Sequence, residues 1–156
     1  MHVLFPGSFD PPHLGHADLI ARAASLFPRV TVAVAINPEK KAFLPLARRL
    51  DLLRAIVAPH ANVDVASYDG STAAFARGRG CGALLRGLRD GRDLTYEAGM
   101  AAVNRDAGGI DSVFLVTAPA VAHLSSQLVR SAVAAGMDVA ALVPPAVVAA
   151  LRAPGA

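Results

Sequence analysis

Ser8, His13 and His16 have side chains that suit phosphate chemistry, and they stand together in the stretch FPGSFDPPHLGH at residues 5–16. Imidazole and hydroxyl groups donate hydrogen bonds to phosphate oxygens, and either imidazole is open to protonation there. Gly7 allows a sharp turn, because glycine adopts backbone dihedrals that other residues avoid. The stretch predicts a phosphate-binding loop; the alternative is that both histidines are ordinary loop residues.

A second group of charged side chains lies at residues 85–97, where Arg86 and Arg89 flank a glycine-bearing turn and Glu97 follows. Two arginines three positions apart can each fork onto phosphate oxygens. The alternative is a surface turn in which the arginines pair with Asp90 and Asp93, an arrangement of little energetic value. The residues alone leave both interpretations open.

The elements that must position the first stretch are a strand before it and a helix after it. Residues 3–5 are apolar, and a helix that opens at residues 15–16 carries an apolar stripe at helical spacing: Leu19, Ile20, Ala23, Ala24 and Phe27. Strand, loop and helix in this order direct free backbone N–H groups and the positive end of the helix dipole at an anion.

The remaining pattern alternates apolar strands with helices. Further strands are predicted at residues 30–36, 63–66, 83–85 and 112–116, and further helices at 46–57, 72–77, 94–104 and 125–135, with a short helix after Pro144-Pro145. In the helix at 46–57, Leu50, Leu53, Ile56 and Val57 are expected to point inward, and Arg48, Arg49, Asp51 and Arg54 outward.

This alternation predicts an α/β fold: a single-domain, Rossmann-like sandwich over residues 1–156, with a parallel sheet of about five strands flanked by helices. In such sheets, ligands bind beyond the carboxyl ends of the strands. The polar segments fall after four successive strands, at residues 6–16, at Lys40, at 70–72 and at 86–93. The site is therefore expected at that edge of the sheet.

Composition excludes several other classes of protein. The chain has 156 residues, of which 54% are hydrophobic and 17% charged, so it is long enough for one core and is not disordered. The net charge is +3, but there are only two lysines, scattered arginines, two tyrosines and no tryptophan. This pattern argues against nucleic acid as a partner and favours small anionic ligands.

No membrane span, disulfide or zinc site is expected. The most apolar region, residues 132–151, is interrupted by Gly136, Asp138 and Pro144-Pro145. No signal-peptide core opens the chain, and the single cysteine, Cys81, has no partner for an internal disulfide and no cluster of metal ligands around it. We expect a cytoplasmic protein.

The stretch at residues 5–16 resembles the signature of the nucleotidylyltransferase superfamily, whose members carry an (H/T)xGH motif after the first strand. Residues 13–16, HLGH, fit that motif. Members join the α-phosphate of a nucleotide to a phosphate-bearing acceptor and release pyrophosphate.

Motifs between residues 5 and 130 resemble one family of this superfamily, the phosphopantetheine adenylyltransferases. The matching segments are the PEKK loop at 38–41, RGLR at 86–89, the Tyr-Glu pair at 96–97, the Asn-Arg helix end at 104–105 and LSSQLVR at 124–130. The resemblance implies transfer of AMP from ATP to 4′-phosphopantetheine, giving dephospho-coenzyme A and pyrophosphate in coenzyme A biosynthesis.

The resemblance also implies roles for individual residues. The catalytic set is Ser8, His16, Lys40 and Arg89. The nucleotide contacts are Ser8, Phe9, His16, Gly87, Leu88, Arg89, Glu97, Val121, Ala122, His123, Leu124, Ser125, Ser126 and Gln127. The acceptor contacts are Ser8, Lys40, Thr72 and Arg86. No protein metal ligand is implied; Mg²⁺ is expected on the ATP phosphates.

The chain departs from the family pattern at three places. His13 stands where threonine is common, Gln127 stands where a third serine is common, and the tryptophan often found before that segment is absent. His13 is typical of nicotinate mononucleotide adenylyltransferases and cytidylyltransferases, which stay open as alternatives, as does a nucleotide-binding module without catalysis. The resemblance further implies a homo-oligomer, a hexamer, and feedback inhibition by coenzyme A.

Overall fold

The computed structural model describes residues 1–152. Its sheet has five parallel strands: β1 (His2–Gly7), β2 (Arg29–Ala35), β3 (Val63–Tyr68), β4 (Ala83–Leu88) and β5 (Asp111–Val116). Their order is β3-β2-β1-β4-β5, so the first strand is central. The predicted α/β fold with a five-stranded parallel sheet is confirmed. The predicted domain, 1–156, includes residues 153–156, which lie outside the described residues.

Six α-helices accompany the sheet in the described part of the chain. They are α1 (Leu14–Leu26), α2 (Leu46–Val57), α3 (Thr72–Gly78), α4 (Gly91–Asp106), α5 (Ser126–Ala134) and α6 (Pro145–Arg152), and a 3-10 turn lies at Pro119–Val121. None of these helices is long and apolar enough to cross a membrane.

Helices cover both faces of the sheet. On one face, Phe5 and Val32 pack with Ile20 of α1 and Leu53 of α2. On the other face, three buried strand residues pack with two alanines of α3. The strand residues are Leu4, Ala33 and Leu84, and the alanines are Ala73 and Ala76. Strands buried on both sides need apolar side chains in either direction, which explains why they appear in the sequence as nearly continuous apolar runs.

A third apolar cluster holds the C-terminal helices against α2. Leu52 of α2 packs there with Val129 of α5 and Val147 of α6, and all three side chains are buried. Because α5 is anchored in this way, the serines at its N-terminus are fixed relative to the sheet. The cluster thus connects core packing to the polar edge of the sheet.

The first turn begins later than predicted. β1 continues through Pro6 to Gly7, which is in register with Val34 of β2. The turn follows at Phe9, whose φ of 47° lies in the left-handed region. Gly7 serves a different purpose from the one predicted, because a Cβ there would lie 3.0 Å from the Phe9 ring.

The predicted faces of α2 also need correction. The helix bounds, 46–57, agree with the prediction, but Arg49, which was predicted to point outward, is buried. Leu52, which was assigned to neither face, is buried as well. The pattern of polar and apolar residues predicted one buried face, against the sheet. In the structure, α2 also packs against the third apolar cluster, which contains the C-terminal helices. The Arg49 guanidinium donates one hydrogen bond, from Nη1 to the carbonyl of Ser8, at 2.9 Å.

Candidate active site

A cavity of about 250 Å³ opens between the carboxyl ends of β1 and β4, and we call it the first cavity. The order of the strands reverses between these two neighbours, which is where open parallel sheets bind ligands. Its polar lining comes from the start of α1, the end of β4, the residue after β5 and the start of α5: His13, His16, Arg86, Arg89, Thr117, Ser125 and Ser126. Four separate elements therefore converge on one space.

A second cavity, of about 690 Å³, lies beside the end of β2. Its polar and charged lining is Ser8, Asp10, Asn37, Lys40, Lys41, Arg49 and Arg130. Pro6 and Gly7 line the first cavity and the next residue lines the second. The end of β1 is therefore the wall between the two spaces.

His16 is held in one orientation at the start of α1. Its Nδ1 accepts a hydrogen bond from the backbone N–H of His13 at 3.2 Å, and the two rings stack with centroids 3.7 Å apart. The ring of Phe9 packs edge-on against the same imidazole at 4.8 Å. Because Nδ1 accepts, the proton of the neutral ring is assigned to Nε2, which remains available as a donor.

Both imidazoles are neutral at pH 7. Burial, together with the Arg89 guanidinium, lowers the pKa of His13 from 6.5 to about 4. Burial, then His13 and then Arg89 hold the pKa of His16 well below its ordinary value. The sequence left protonation of either ring open, and the structure favours the neutral form of each.

Arg86 is fixed in a fork with Glu97. Its Nε and Nη2 donate to the two carboxylate oxygens at 2.8 and 2.7 Å, and Nη1 donates to the carbonyl of Pro6 at 3.1 Å. Hydrogen bonding to Glu97 raises the pKa of Arg86, so the guanidinium stays charged. The pair ties α4 to the ends of β4 and β1.

Arg89 makes a similar fork with Asp93, at 2.8 and 3.0 Å. Hydrogen bonding from Arg89 lowers the pKa of Asp93. Asp90 instead caps α4 by accepting from two backbone N–H groups, which is why this helix begins at Gly91, before the predicted start. The surface-turn alternative is therefore correct for Arg89 and Asp93 alone.

The start of α5 presents two serines to the first cavity. Ser125 is the N-cap, and its Oγ accepts from the N–H of Leu128 at 3.1 Å. Ser126 donates to the carbonyl of Pro11 at 2.9 Å, which connects α5 to the loop after β1. A helix N-terminus here adds a positive potential to the cavity.

Comparisons with known proteins agree with this geometry. Residues 4–132 match the cytidylyltransferase-like family. The phosphopantetheine adenylyltransferase of Streptomyces coelicolor is 44% identical over 146 residues, which is 94% of this chain and 92% of that protein. The enzyme of the same name from Kocuria rhizophila is 46% identical over 148 residues, 94% of this chain and 95% of that one. The chain belongs to the phosphopantetheine adenylyltransferase family.

Two solved structures show the same fold at lower identity. A putative nicotinate-nucleotide adenylyltransferase from Vibrio parahaemolyticus has a TM-score of 0.68 at 18% identity and covers 96% of this chain and 97% of its own. A lipopolysaccharide core biosynthesis protein from Thermoplasma volcanium has a TM-score of 0.54 at 21% identity, with 76% and 96% covered. At these identities the likeness concerns the fold alone.

The structure brings together part of the set that the phosphopantetheine adenylyltransferase resemblance implied. The first cavity is lined by His16, Arg86, Gly87, Arg89, Val121, Leu124, Ser125 and Ser126, and the second by Ser8 and Lys40. The other members line neither cavity: Phe9, Leu88, Thr72, Glu97, Ala122, His123 and Gln127. Thr72 begins α3, and its hydroxyl pairs with that of Tyr68 at 2.8 Å. The individual roles remain predictions.

Three residues around the second cavity were missed as site residues. The buried Asp10 accepts hydrogen bonds from the N–H groups of Phe43 and Leu44, at 2.7 and 2.8 Å. Arg130 donates to the carbonyl of Asp10 at 2.6 Å, and Arg49 supports the carbonyl of Ser8. The loop after β1 is thereby fixed from both sides in this member of the phosphopantetheine adenylyltransferase family.

The lowered pKa of His13 predicts a pH-dependent stability. Between pH 6.5 and about 4 the unfolded chain binds a proton at this residue that the folded protein does not, so the free energy of unfolding should fall as pH decreases through that window. The full shift corresponds to a loss on the order of 3 kcal/mol. Urea unfolding at pH 7 and pH 5 measures the part of this loss that develops by pH 5.

A matched pair of variants isolates this effect. His13→Gln should have a shallower slope of unfolding free energy against pH than the wild type, whereas His60→Gln should keep the wild-type slope. The slope is compared rather than the absolute stability, because His13→Gln also removes the stacking on His16. Equal slopes in all three proteins would contradict the assignment.

Proposed function

We propose that this chain transfers AMP from ATP to 4′-phosphopantetheine and so produces dephospho-coenzyme A and pyrophosphate in coenzyme A biosynthesis. The observation that carries the proposal is identity of 44% and 46%, over 94% of the chain, to two proteins named phosphopantetheine adenylyltransferase. The two adjoining cavities support it, because the reaction needs space for a nucleotide and for an acceptor on either side of one reacting phosphorus.

In this proposal ATP occupies the first cavity and the acceptor enters from the second. An oxygen of the acceptor phosphate attacks the α-phosphorus of ATP, the bond from that phosphorus to the bridging oxygen breaks, and its electron pair leaves with pyrophosphate. A phosphate monoester is already ionised at neutral pH, so no general base is required. The protein's contribution is therefore orientation and stabilisation of charge.

His16 is suited to stabilise the transferring phosphate. The ring is neutral, its Nδ1 is occupied by the N–H of His13, and Nε2 is left as the donor. A donor already held in position costs no reorganisation when charge develops on the phosphate oxygens. The start of α5 and the Arg89 guanidinium add positive potential on other sides of the same cavity.

Mg²⁺ is proposed to accompany ATP, where it would neutralise part of the triphosphate charge. Within residues 1–152, no group of three or more His, Cys, Asp or Glu side chains is placed to hold a metal ion. Asp93 and Glu97, the acidic side chains near the first cavity, are engaged by arginines. Because these carboxylates are already paired, the site fits an ion held through ATP oxygens and water rather than by a protein cage.

We also propose a homo-oligomer, and a hexamer by family resemblance. α4 has no buried residue, and Leu94, Tyr96 and Val103 on this helix are exposed together with Val116 of the edge strand β5. Such an apolar surface is typical of contacts between subunits. Coenzyme A is proposed as a feedback inhibitor, since it contains both the pantetheine arm and the adenine nucleotide of the product.

Pyrophosphate release tests the reaction and the acceptor together. The purified protein is given ATP and Mg²⁺ with either 4′-phosphopantetheine or nicotinate mononucleotide. We expect release with 4′-phosphopantetheine. Release with nicotinate mononucleotide alone would favour the alternative that His13 indicates, and release with neither, despite ATP binding, would favour a module without catalysis.

Lys40 gives a prediction specific to the acceptor. Its exposed ammonium lines the second cavity, so Lys40→Ala should raise KM for 4′-phosphopantetheine by about 10- to 100-fold, as for loss of one charged contact. KM for ATP should change by less than about twofold, because ATP is assigned to the other cavity. Steady-state kinetics with each substrate varied in turn measures both values.

Arg54→Ala removes the same charge from an exposed position on α2 and serves as the control. Its KM values for the two substrates should match those of the wild type. If Lys40→Ala has wild-type acceptor kinetics, Lys40 is not an acceptor contact.

A further inference from the structure

Arg49 is a charged side chain that the proposed mechanism has not used. It lies on α2, only 7% exposed, and lines the second cavity with Ser8 and Lys40. The preceding residue, Arg48, has the same charge but is exposed. Burial of an arginine needs compensating partners, because removing a charge from water is costly.

The partners that Arg49 finds in the protein are incomplete. Nη1 donates to the carbonyl of Ser8 at 2.9 Å, whereas Nε is buried without an acceptor and Nη2 makes no hydrogen bond within residues 1–152. Arg49 also forms no ion pair within the described chain. The Nε–Nη2 edge of Arg49 therefore has no acceptor within residues 1–152. In Arg86, the same two nitrogens bind the carboxylate of Glu97.

The surroundings of this edge favour an anion. The lining of the second cavity contains four cationic side chains: Lys40, Lys41, Arg49 and Arg130. The carboxylate of Asp10 is the acidic group in that lining, and its two oxygens accept from backbone N–H groups of residues 43 and 44. The guanidinium fork matches two oxygens of one phosphate group.

We infer that Arg49 is a further acceptor-binding residue, whose Nε–Nη2 edge binds the phosphate of the acceptor beside Lys40 while Nη1 holds the carbonyl of Ser8. The inference rests on the proposed function for the identity of the acceptor. In this arrangement one guanidinium both binds the phosphate and positions Ser8, the first residue of the loop after β1. Loss of the fork should then weaken the acceptor more than ATP.

Three variants test the inference by kinetics: Arg49→Met, Arg49→Lys and the charge-matched control Arg48→Met. We expect KM for 4′-phosphopantetheine to rise by about 10- to 100-fold in Arg49→Met and by a smaller factor in Arg49→Lys, which keeps the charge but lacks the fork. KM for ATP should stay within about twofold in both, and Arg48→Met should behave as wild type. Arg49→Lys carries the test if circular dichroism shows that Arg49→Met does not fold.

Binding of inorganic phosphate gives a readout independent of turnover. Phosphate should raise the Tm of the wild type and of Arg48→Met, and this rise should be at least halved in Arg49→Met and in Arg49→Lys. An equal rise in all four proteins, or equal increases in the KM of ATP and acceptor, would overturn the inference. If the wild type uses no 4′-phosphopantetheine, the proposed function fails, and the phosphate comparison still decides whether Arg49 binds an anion.

Discussion

His16→Ala is expected to lower kcat by about 10²- to 10³-fold, the usual cost of losing one preorganised donor to a developing charge. KM for ATP should change by less than about threefold. The physical reason is that the Nε2–H contact strengthens as charge develops on the transferring phosphate, so its removal affects the transition state more than the bound substrate. Steady-state kinetics at saturating 4′-phosphopantetheine measures both parameters.

The structure explains why this one ring should matter. Its orientation depends on the N–H of His13, the stacked ring of the same residue and the edge of Phe9. His60→Ala removes an imidazole outside both cavities and should retain the wild-type kcat. Equal losses in kcat and in ATP affinity for His16→Ala would show that the ring binds the ground state and the transition state alike.

Asp10→Ala is expected to reduce the free energy of unfolding by about 2–4 kcal/mol, because it leaves one buried and one partly buried N–H group without their charged acceptor. The carboxylate accepts from Phe43 and Leu44 at 2.7 and 2.8 Å, and Leu44 is only 2% exposed. The same bonds position the segment that carries Lys40. Acceptor KM should therefore rise together with the loss of stability, as measured by urea unfolding and by kinetics.

Asp51→Ala is the matched control for this prediction. Asp51 is an exposed carboxylate paired with Arg54 at 2.8 Å, and its loss should change stability by less than about 0.5 kcal/mol. Asp10→Asn should lower the free energy of unfolding nearly as much as Asp10→Ala, because the amide NH₂ of asparagine would face one of the two backbone N–H groups. If Asp10→Ala is as stable as Asp51→Ala, the loop after β1 is held by other contacts.

Much of the fold could be predicted because the strands are buried on both faces. Such strands are apolar runs, and the helix at 46–57 has the period and the bounds that its sequence indicates. The strand order was not predictable, since pairing of β1 with β4 depends on contacts between segments about 80 residues apart. The burial of Arg49 was likewise not predictable. The pattern of polar and apolar residues indicates a single buried face for α2, whereas the sheet and the C-terminal cluster cover two faces of this helix.

The candidate site was predictable where its chemistry is local. The loop after β1, the cap at Ser125 and the arginine turn after β4 are each visible as short patterns. Asp10 and Arg130 were missed because their partners are backbone groups 33 to 120 residues away, and no local pattern displays such contacts. The neutral state of His16 was missed for a similar reason, since its lowered pKa results from burial and from two neighbouring side chains, His13 and Arg89.

The most direct test of the proposed reaction is the mass of the product formed from ATP, Mg²⁺ and 4′-phosphopantetheine. We expect dephospho-coenzyme A, in which the acceptor has gained one AMP, together with an equal amount of pyrophosphate. A product without the AMP moiety, or the release of inorganic phosphate in place of pyrophosphate, would contradict adenylyl transfer by this chain.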